Sequence, residues 1–347
     1  MRIVSNGVKR MKTVKSLWTG ILSAFGMLVI ILDSKTALWG AQDGIELCVS
    51  SVIPALFPFF FLSSLFNNVL TGISLPFLRP IGKLCGVPQG AESLLVLGLI
   101  GGYPVGAQAV ADAYRSNKIS HKVAERLLGF CSNAGPSFIF GILSGLFSSQ
   151  ITVWIMWLVH ISSALLTGMI LPNKQQTVCY IDHAEKINLS QALERSIKVL
   201  SSVCGWVILF RVLIAFCQKW FLWLLPMTGQ CIVIGLLELT NGCCNLSAIT
   251  LESVRFVLCS CMLAMGSLCV LMQTVSVTRP LGLGMYIPGK ILQTAISLFL
   301  ASMIQQLLYP HETAVSFAVT IIAVIFIIAS LLLQKKKSSS IMQNSVV

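Results

Sequence analysis

The sequence predicts an all-α, polytopic membrane protein of about eight spanning helices plus two re-entrant or broken hairpins in an inverted repeat. Three observations carry this. Only 10% of the 347 residues are charged and 56% are hydrophobic, whereas a soluble domain is about 25% charged. Eight apolar runs are long enough to cross a bilayer at 1.5 Å rise per residue: 17–32, 47–70, 127–147, 151–171, 199–218, 256–277, 291–309 and 313–333. Two further apolar pieces, 94–111 and 231–249, are interrupted by Gly, Pro or Asn. Alternating strands of the barrel type are absent.

The elements follow in order. Arg2, Lys9, Arg10, Lys12 and Lys15 precede the run 17–32 with no small-x-small cleavage site after it, which predicts an uncleaved first span within a segment 1–44. Residues 45–171 form the first repeat. Its broken piece carries Gly101-Gly102-Tyr103-Pro104 and Gly106, and the next run carries Ser132-Asn133-Ala134-Gly135-Pro136. Proline removes a backbone donor and glycine weakens a helix by about 1 kcal/mol relative to alanine. Broken backbone at membrane depth is tolerated only where protein or a wet cavity satisfies it. Residues 172–198 form a polar linker, with Ser190 the expected cap of the helix that follows. Residues 199–309 form the second repeat, broken at Glu238-Leu239-Thr240-Asn241-Gly242, and 310–347 hold the last span and a basic tail.

Charge decides how the broken pieces run. If both return to their own side, 20 of the 24 basic residues fall on one face, including Arg79, Lys83, Arg115, Lys118, Lys122, Arg126 and Lys290; Lys35, Lys219 and Arg255 fall on the other, and Arg211 stays within a span. The positive-inside rule makes the crowded face cytoplasmic and puts both termini there, in a multi-pass cell membrane. The two pieces then enter from opposite sides. Leu97-Gly98-Leu99-Ile100 and Ile234-Gly235-Leu236-Leu237 open them alike. This is the inverted repeat of secondary transporters.

The net charge of +12 is explained by these loops, so no nucleic-acid partner is expected. Most of the twelve cysteines lie in apolar runs without C-x-x-C or histidine spacing, so they read as packing residues and no metal is expected. There is no Walker A lysine, no H-E-x-x-H and no G-x-S-x-G, so neither an enzyme nor a cofactor is expected.

The candidate site residues are polar groups at membrane depth. Arg211 offers a guanidinium suited to a carboxylate, at a cost of at least ~2.5–3.5 kcal/mol for a charge there. Glu238 is the one carboxylate in a broken piece; it can bind substrate, couple a proton or cation, or pair with Arg211. Thr240 and Asn241 beside it, Ser132 and Asn133 in the other break, Tyr103 on the first hairpin and Gln273 in the run 256–277 complete the set. Helix capping and helix–helix hydrogen bonds are the competing uses of these polar groups. Gly101, Gly102, Pro104, Gly106, Gly135, Pro136 and Gly242 are the hinges.

Several of these residues also carry a resemblance. Pro54-Ala55-Leu56-Phe57-Pro58-Phe59, Gly102-Tyr103-Pro104-x-Gly106-Ala107, Tyr114, Ile119-Ser120, Glu125-Arg126-Leu127-Leu128, Asn133-x-Gly135-Pro136-x-Phe138-Ile139 and Leu237-Glu238-x-Thr240-x-Gly242 occur in order. Over roughly residues 40–310 the chain is similar to the YlbJ family of sporulation integral membrane proteins, within the nucleoside-recognition or gate-domain group. The pair Cys243-Cys244 departs from the small or aliphatic residues of that pattern. The resemblance implies two gate-like repeats, a role in endospore formation with dipicolinic acid as cargo, and a location in the outer forespore membrane. Sequence and resemblance together lead to a transporter or facilitator of a small anionic metabolite, with H⁺ or Na⁺ as possible coupling ion. The alternatives are a carrier of nucleosides or other neutral solutes, and a non-transporting sporulation membrane assembly protein.

Overall fold

A computed structural model describes residues 2–70, 75–172 and 188–312. The expected span 313–333, the basic tail and most of the linker lie outside these residues. Every regular element among the described residues is helical, and five helices are long and apolar enough to cross a membrane: Ser34–Phe66, Gln150–Ile170, Leu189–Trp220, Glu252–Thr278 and Tyr286–Leu308. Large apolar side chains such as Ile31, Leu158, Leu209 and Leu307 point outward, as lipid contact requires.

Helix α1 spans Arg2–Leu32 and α2 spans Ser34–Leu47; a π turn, Cys48–Val52, joins α2 to α3, Ile53–Leu70, and the short α4 spans Arg79–Leu84. The π turn sits just before Pro54, and Pro58 lies within α3. A widened turn is a usual answer to a proline's missing donor. Helix α10, Leu189–Trp220, packs along α2. Gly40 and Gly44 allow this, because a Cβ on either would meet the α10 backbone at Val212 (2.9 Å) or Ile208 (3.0 Å). Asn188, not Ser190, caps α10, in a reciprocal capping box with Gln191.

Both interrupted pieces are helical hairpins. Helices α5 (Glu92–Ile100) and α6 (Val105–Arg115) form the first; α11 (Met227–Leu237) and α12 (Leu239–Asn245) form the second. Each folds back at a glycine crossing. A Cβ on Gly106 would stand 2.9 Å from the Gly98 Cα, and one on Gly242 would collide with the Gly235 Cα. The first tip turns through Gly102 at φ +75°, a conformation open to glycine.

The run 127–147 is interrupted at the break its Gly135-Pro136 predicts, whereas 256–277 differs from the continuous span expected. The first divides into α7 (His121–Leu128), an irregular stretch, and α8 (Pro136–Gly141). Gly135-Pro136 forces that break: glycine and proline disfavour the helix interior, and Pro136 restarts it at a first-turn position. The second divides into α13 (Glu252–Met265) and α14 (Leu268–Thr278) at Gly266, φ +70°, with Ser267 capping α14. Each set thus holds a hairpin, a broken helix and an unbroken helix: α9 (Gln150–Ile170) in the first, α15 (Tyr286–Leu308) in the second.

Polar contacts sort the helix ends into two groups. At one end Arg79 pairs with Glu92 (3.3 Å), and Arg115 donates to the carbonyls of Val277 (3.2 Å) and Arg279 (2.9 Å). There too Arg126 donates to the carbonyls of Cys85, Gly168, Leu171 and Pro172. At the other end Glu252 accepts from Ser148 and Tyr309, and Arg255 donates to Leu146 O. Lys219 pairs with Asp33 there and holds that carboxyl below its ordinary pKa. The α5–α6 hairpin has its base in the first group, and the α11–α12 hairpin in the second. They therefore enter from opposite ends. The first group collects Arg79, Lys83, Arg115, Lys122 and Arg126; the second has Lys35, Lys219 and Arg255.

The glycine crossing sets a measurable cost. Gly242→Ala is expected to destabilise detergent-solubilised protein by about 1–3 kcal/mol through overpacking. Gly205→Ala, where a Cβ meets nothing within 4 Å, is expected to be neutral or to stabilise by about 0.5–1 kcal/mol. Melting temperatures of the two variants check this; equal values would refute the crossing.

Candidate functional site

The two hairpin tips and the first helix break meet at one central cavity, which α14 also lines. Gly102 and Tyr103 come from the first tip, Glu238 and Thr240 from the second, Gly135 and Ser137 from the first break, and Gln273 from α14. Apolar side chains of α3 and α10 close it, among them Phe60 and Val207. About 40 Å³ is open to the centres of water molecules, enough for a few waters. A neighbouring cavity lies between α3, α6 and α10, lined by Ser64, Gln108, Asp112 and Arg195. Phe60 lines both and so stands between them.

Glu238 is 2% exposed and is held from its own tip. Its carboxylate accepts from Thr240 N (3.0 Å), Asn241 N (2.7 Å) and Asn241 Nδ2 (2.7 Å). It therefore caps α12 while it lines the cavity, so the capping use and exposure to a ligand coincide. No ion pair involves it among the described residues. Asn241 is buried behind it and Thr240 faces the cavity. Gln273 lines the cavity, with its Nε2 on Cys269 Sγ (3.3 Å). Gly106 sits at the hairpin crossing, and Gly101 and Pro104 flank the tip.

Asn133 supports the cavity without lining it. Its Nδ2 donates to Gly98 O (2.8 Å) and Phe130 O (2.7 Å), tying the break to the first hairpin. Its Oδ1 accepts from Gln293 Nε2 (2.8 Å) on α15. Ser132 is buried beside it. His160 Nε2 accepts from Ala134 N (3.1 Å), satisfying another freed donor of the same break.

Arg211 lies elsewhere, which corrects its expected place at the site. Its guanidinium pairs with Asp43 on α2, donates to Gln218 Oε1 (3.1 Å) and stacks 4.7 Å above the Trp39 ring. It reaches neither Glu238 nor the cavity lining. The Gly40 and Gly44 contacts that press α2 onto α10 bring Asp43 within reach. A pairing between residues 168 apart leaves no local pattern to read.

Lys290 was placed in a loop by the charge count, but α15 begins at Tyr286 and takes it inside. It is 4% exposed. Its Nζ donates to Tyr103 OH (3.1 Å) and Gln293 Oε1 (2.8 Å) and stands 5.2 Å from the Tyr103 ring centroid. Tyr103 OH in turn donates to Leu263 O on α13 (3.1 Å). A buried polar line therefore runs from Asn133 through Gln293 and Lys290 to Tyr103. The readable signal was the spacing of Lys290, Gln293 and Ser297, polar residues on one face of a mostly apolar helix.

The sporulation integral membrane protein YlbJ of Bacillus subtilis (strain 168) is 35% identical to this chain over 120 residues, or 33% of the chain. The matched stretch spans 29% of that relative's length. This match supports the resemblance to the YlbJ family. No family model and no solved structure matches the chain. An integral membrane protein similar to a sporulation protein is thus the coarse description. Its central cavity, formed by two hairpin tips, is the feature that calls for a function.

The Asp43–Arg211 pair is open to a stability test. A double-mutant cycle with Asp43→Asn and Arg211→Met is expected to give a coupling of about 0.5–3 kcal/mol, as neighbouring paired groups do. Thermal denaturation in detergent measures it. Additive losses would remove the pair.

Proposed function

We propose that this protein is a secondary transporter or facilitator of a small anionic metabolite, with dipicolinic acid in endospore formation as the leading cargo. The observation that carries this is the convergence of two opposed hairpin tips and the first helix break on one cavity. Transporters of inverted-repeat build place substrate at such a midplane junction. The similarity to a sporulation integral membrane protein supports the cellular setting, and the outer forespore membrane is the proposed location. The excess of Lys and Arg at the Arg79–Arg126 end supports a cytoplasmic orientation of that end.

Glu238 gives a reason for a coupling ion. A carboxylate facing the cavity repels an incoming dicarboxylate unless a proton or Na⁺ neutralises it. Loading a cation at Glu238 together with the anion would lower the charge that must cross. The tight cavity is then a closed state. Movement of Phe60 would join it to the neighbouring cavity beside Arg195, whose exposed guanidinium faces the basic end.

Reconstitution into liposomes tests the reading. Labelled dipicolinate is expected to enter against its gradient when an inward H⁺ or Na⁺ gradient is imposed. Glu238→Gln is expected to cut ion-driven accumulation at least tenfold, or about 1.4 kcal/mol of coupling. Absence of flux under either gradient, with neutral nucleosides also excluded, would favour a non-transporting assembly role. Entry of nucleosides but not dipicolinate would favour a neutral-solute carrier.

A separate outcome concerns Phe60. Phe60→Ala is expected to admit a membrane-impermeant maleimide to a cysteine placed at Val207, in a variant lacking native thiols. The same cysteine behind Phe60 should react at least tenfold more slowly.

A further inference from the structure

The buried Lys290 has a polar cradle but no counter-charge. Its hydrogen-bond acceptors are a phenol oxygen and an amide oxygen. The other titratable groups around it are Tyr103 from the first hairpin, Cys131 before α8 and His160 from α9. No carboxylate lies within ion-pair distance of it among the described residues. The contrast with Arg211 is direct: that cation is also buried, and Asp43 pairs with it. A lone ammonium at membrane depth is unfavourable and is retained where a ligand or a proton pathway uses it.

The position is specific. Tyr103 stands between Lys290 and the cavity: it lines the cavity, and its hydroxyl oxygen accepts a hydrogen bond from Lys290 Nζ. Gln293 and Asn133 fix the other side of the lysine, and the carbonyls of Gly98 and Phe130 fix Asn133. The ammonium is thus held one side chain behind the cavity wall, at the first hairpin tip. Glu238 occupies the second tip. Glu238 on the second tip and Lys290 of α15 behind the first tip give the cavity an acidic and a basic pole.

We propose that Lys290 is the residue that makes the central site select anions: a substrate carboxylate supplies its missing counter-charge, with Tyr103 as the hydroxyl that shifts to admit it. This rests on the transporter reading above and names its charge-selecting group. Gln293 and Asn133 act as positioning residues that keep the ammonium directed at Tyr103.

The experiment compares pyridine-2,6-dicarboxylate with its uncharged diamide, using thermal stabilisation of purified full-length protein and uptake by liposomes. Wild type is expected to prefer the diacid at least tenfold in both readouts. Lys290→Met, close in shape and uncharged, is expected to lose the preference. Its ligand-free melting temperature should equal or exceed that of wild type, because an unpaired buried charge has gone. Lys290→Arg is expected to retain part of the preference. If Lys290→Met keeps the tenfold preference, the proposal fails while transport stands. If wild type neither binds nor carries either compound, the transporter reading fails and the proposal with it. If Lys290→Met melts well below wild type and Lys290→Arg has no preference, Lys290 is structural and the proposal is overturned.

Discussion

A chain that enters a membrane and turns back midway must satisfy its backbone without water, and it must fit two helices where one would pass. Here the glycine crossings meet that demand. At Gly98–Gly106 and Gly235–Gly242 the absence of side chains lets the two arms of each hairpin approach to backbone contact. Every later feature depends on this. The tips reach the cavity because the arms are thin. The freed backbone groups are taken up nearby: Gly98 O by Asn133, Ala134 N by His160, and Thr240 N and Asn241 N by Glu238. Polar residues at the tips are therefore both structural and available, and the same group often serves as cap and as lining.

Three buried cations show how context separates structure from site. Arg126 spreads its guanidinium over backbone carbonyls from the loop before α5 and from the end of α9. It fastens an end of the bundle, and five donors in a rigid fork suit that use. Arg211 has a carboxylate and an aromatic face and joins α2 to α10. Lys290 has the Tyr103 ring but no carboxylate, and it stands behind the wall of the cavity. Burial alone does not distinguish them; the identity of the partners does.

Much of the architecture was legible in the sequence. Hydropathy set the membrane class, and the asymmetry of Lys and Arg separated returning hairpins from crossings, because a basic loop moved to the other face would have broken the charge pattern. Glycine and proline marked the tips. The break in 256–277 was harder: Gly266-Ser267 sits in an apolar run that reads as continuous, and hydropathy does not register one residue at positive φ. Of the candidate residues, Tyr103, Glu238, Thr240 and Gln273 line the cavity, while Ser132, Asn133 and Asn241 lie behind it. Arg211 was misplaced because isolation in a span says nothing of a partner far away in the chain. Lys290 was missed because the start of α15 was set five residues late, which put a buried lysine into solvent.

The contacts at the two ends join the sets to each other. Arg115, closing the first hairpin, bonds to carbonyls at the C-terminal end of α14, and Ser148, before α9, bonds to Glu252 at the start of α13. The Lys290 that backs the first hairpin tip belongs to α15 of the second set. Each set therefore completes the other's polar surfaces. A protein truncated after α9 would leave Asn133 without Gln293 and Tyr103 without Lys290, with broken backbone turned toward lipid. The two halves are interlocked, and either alone would be an incomplete object in the membrane.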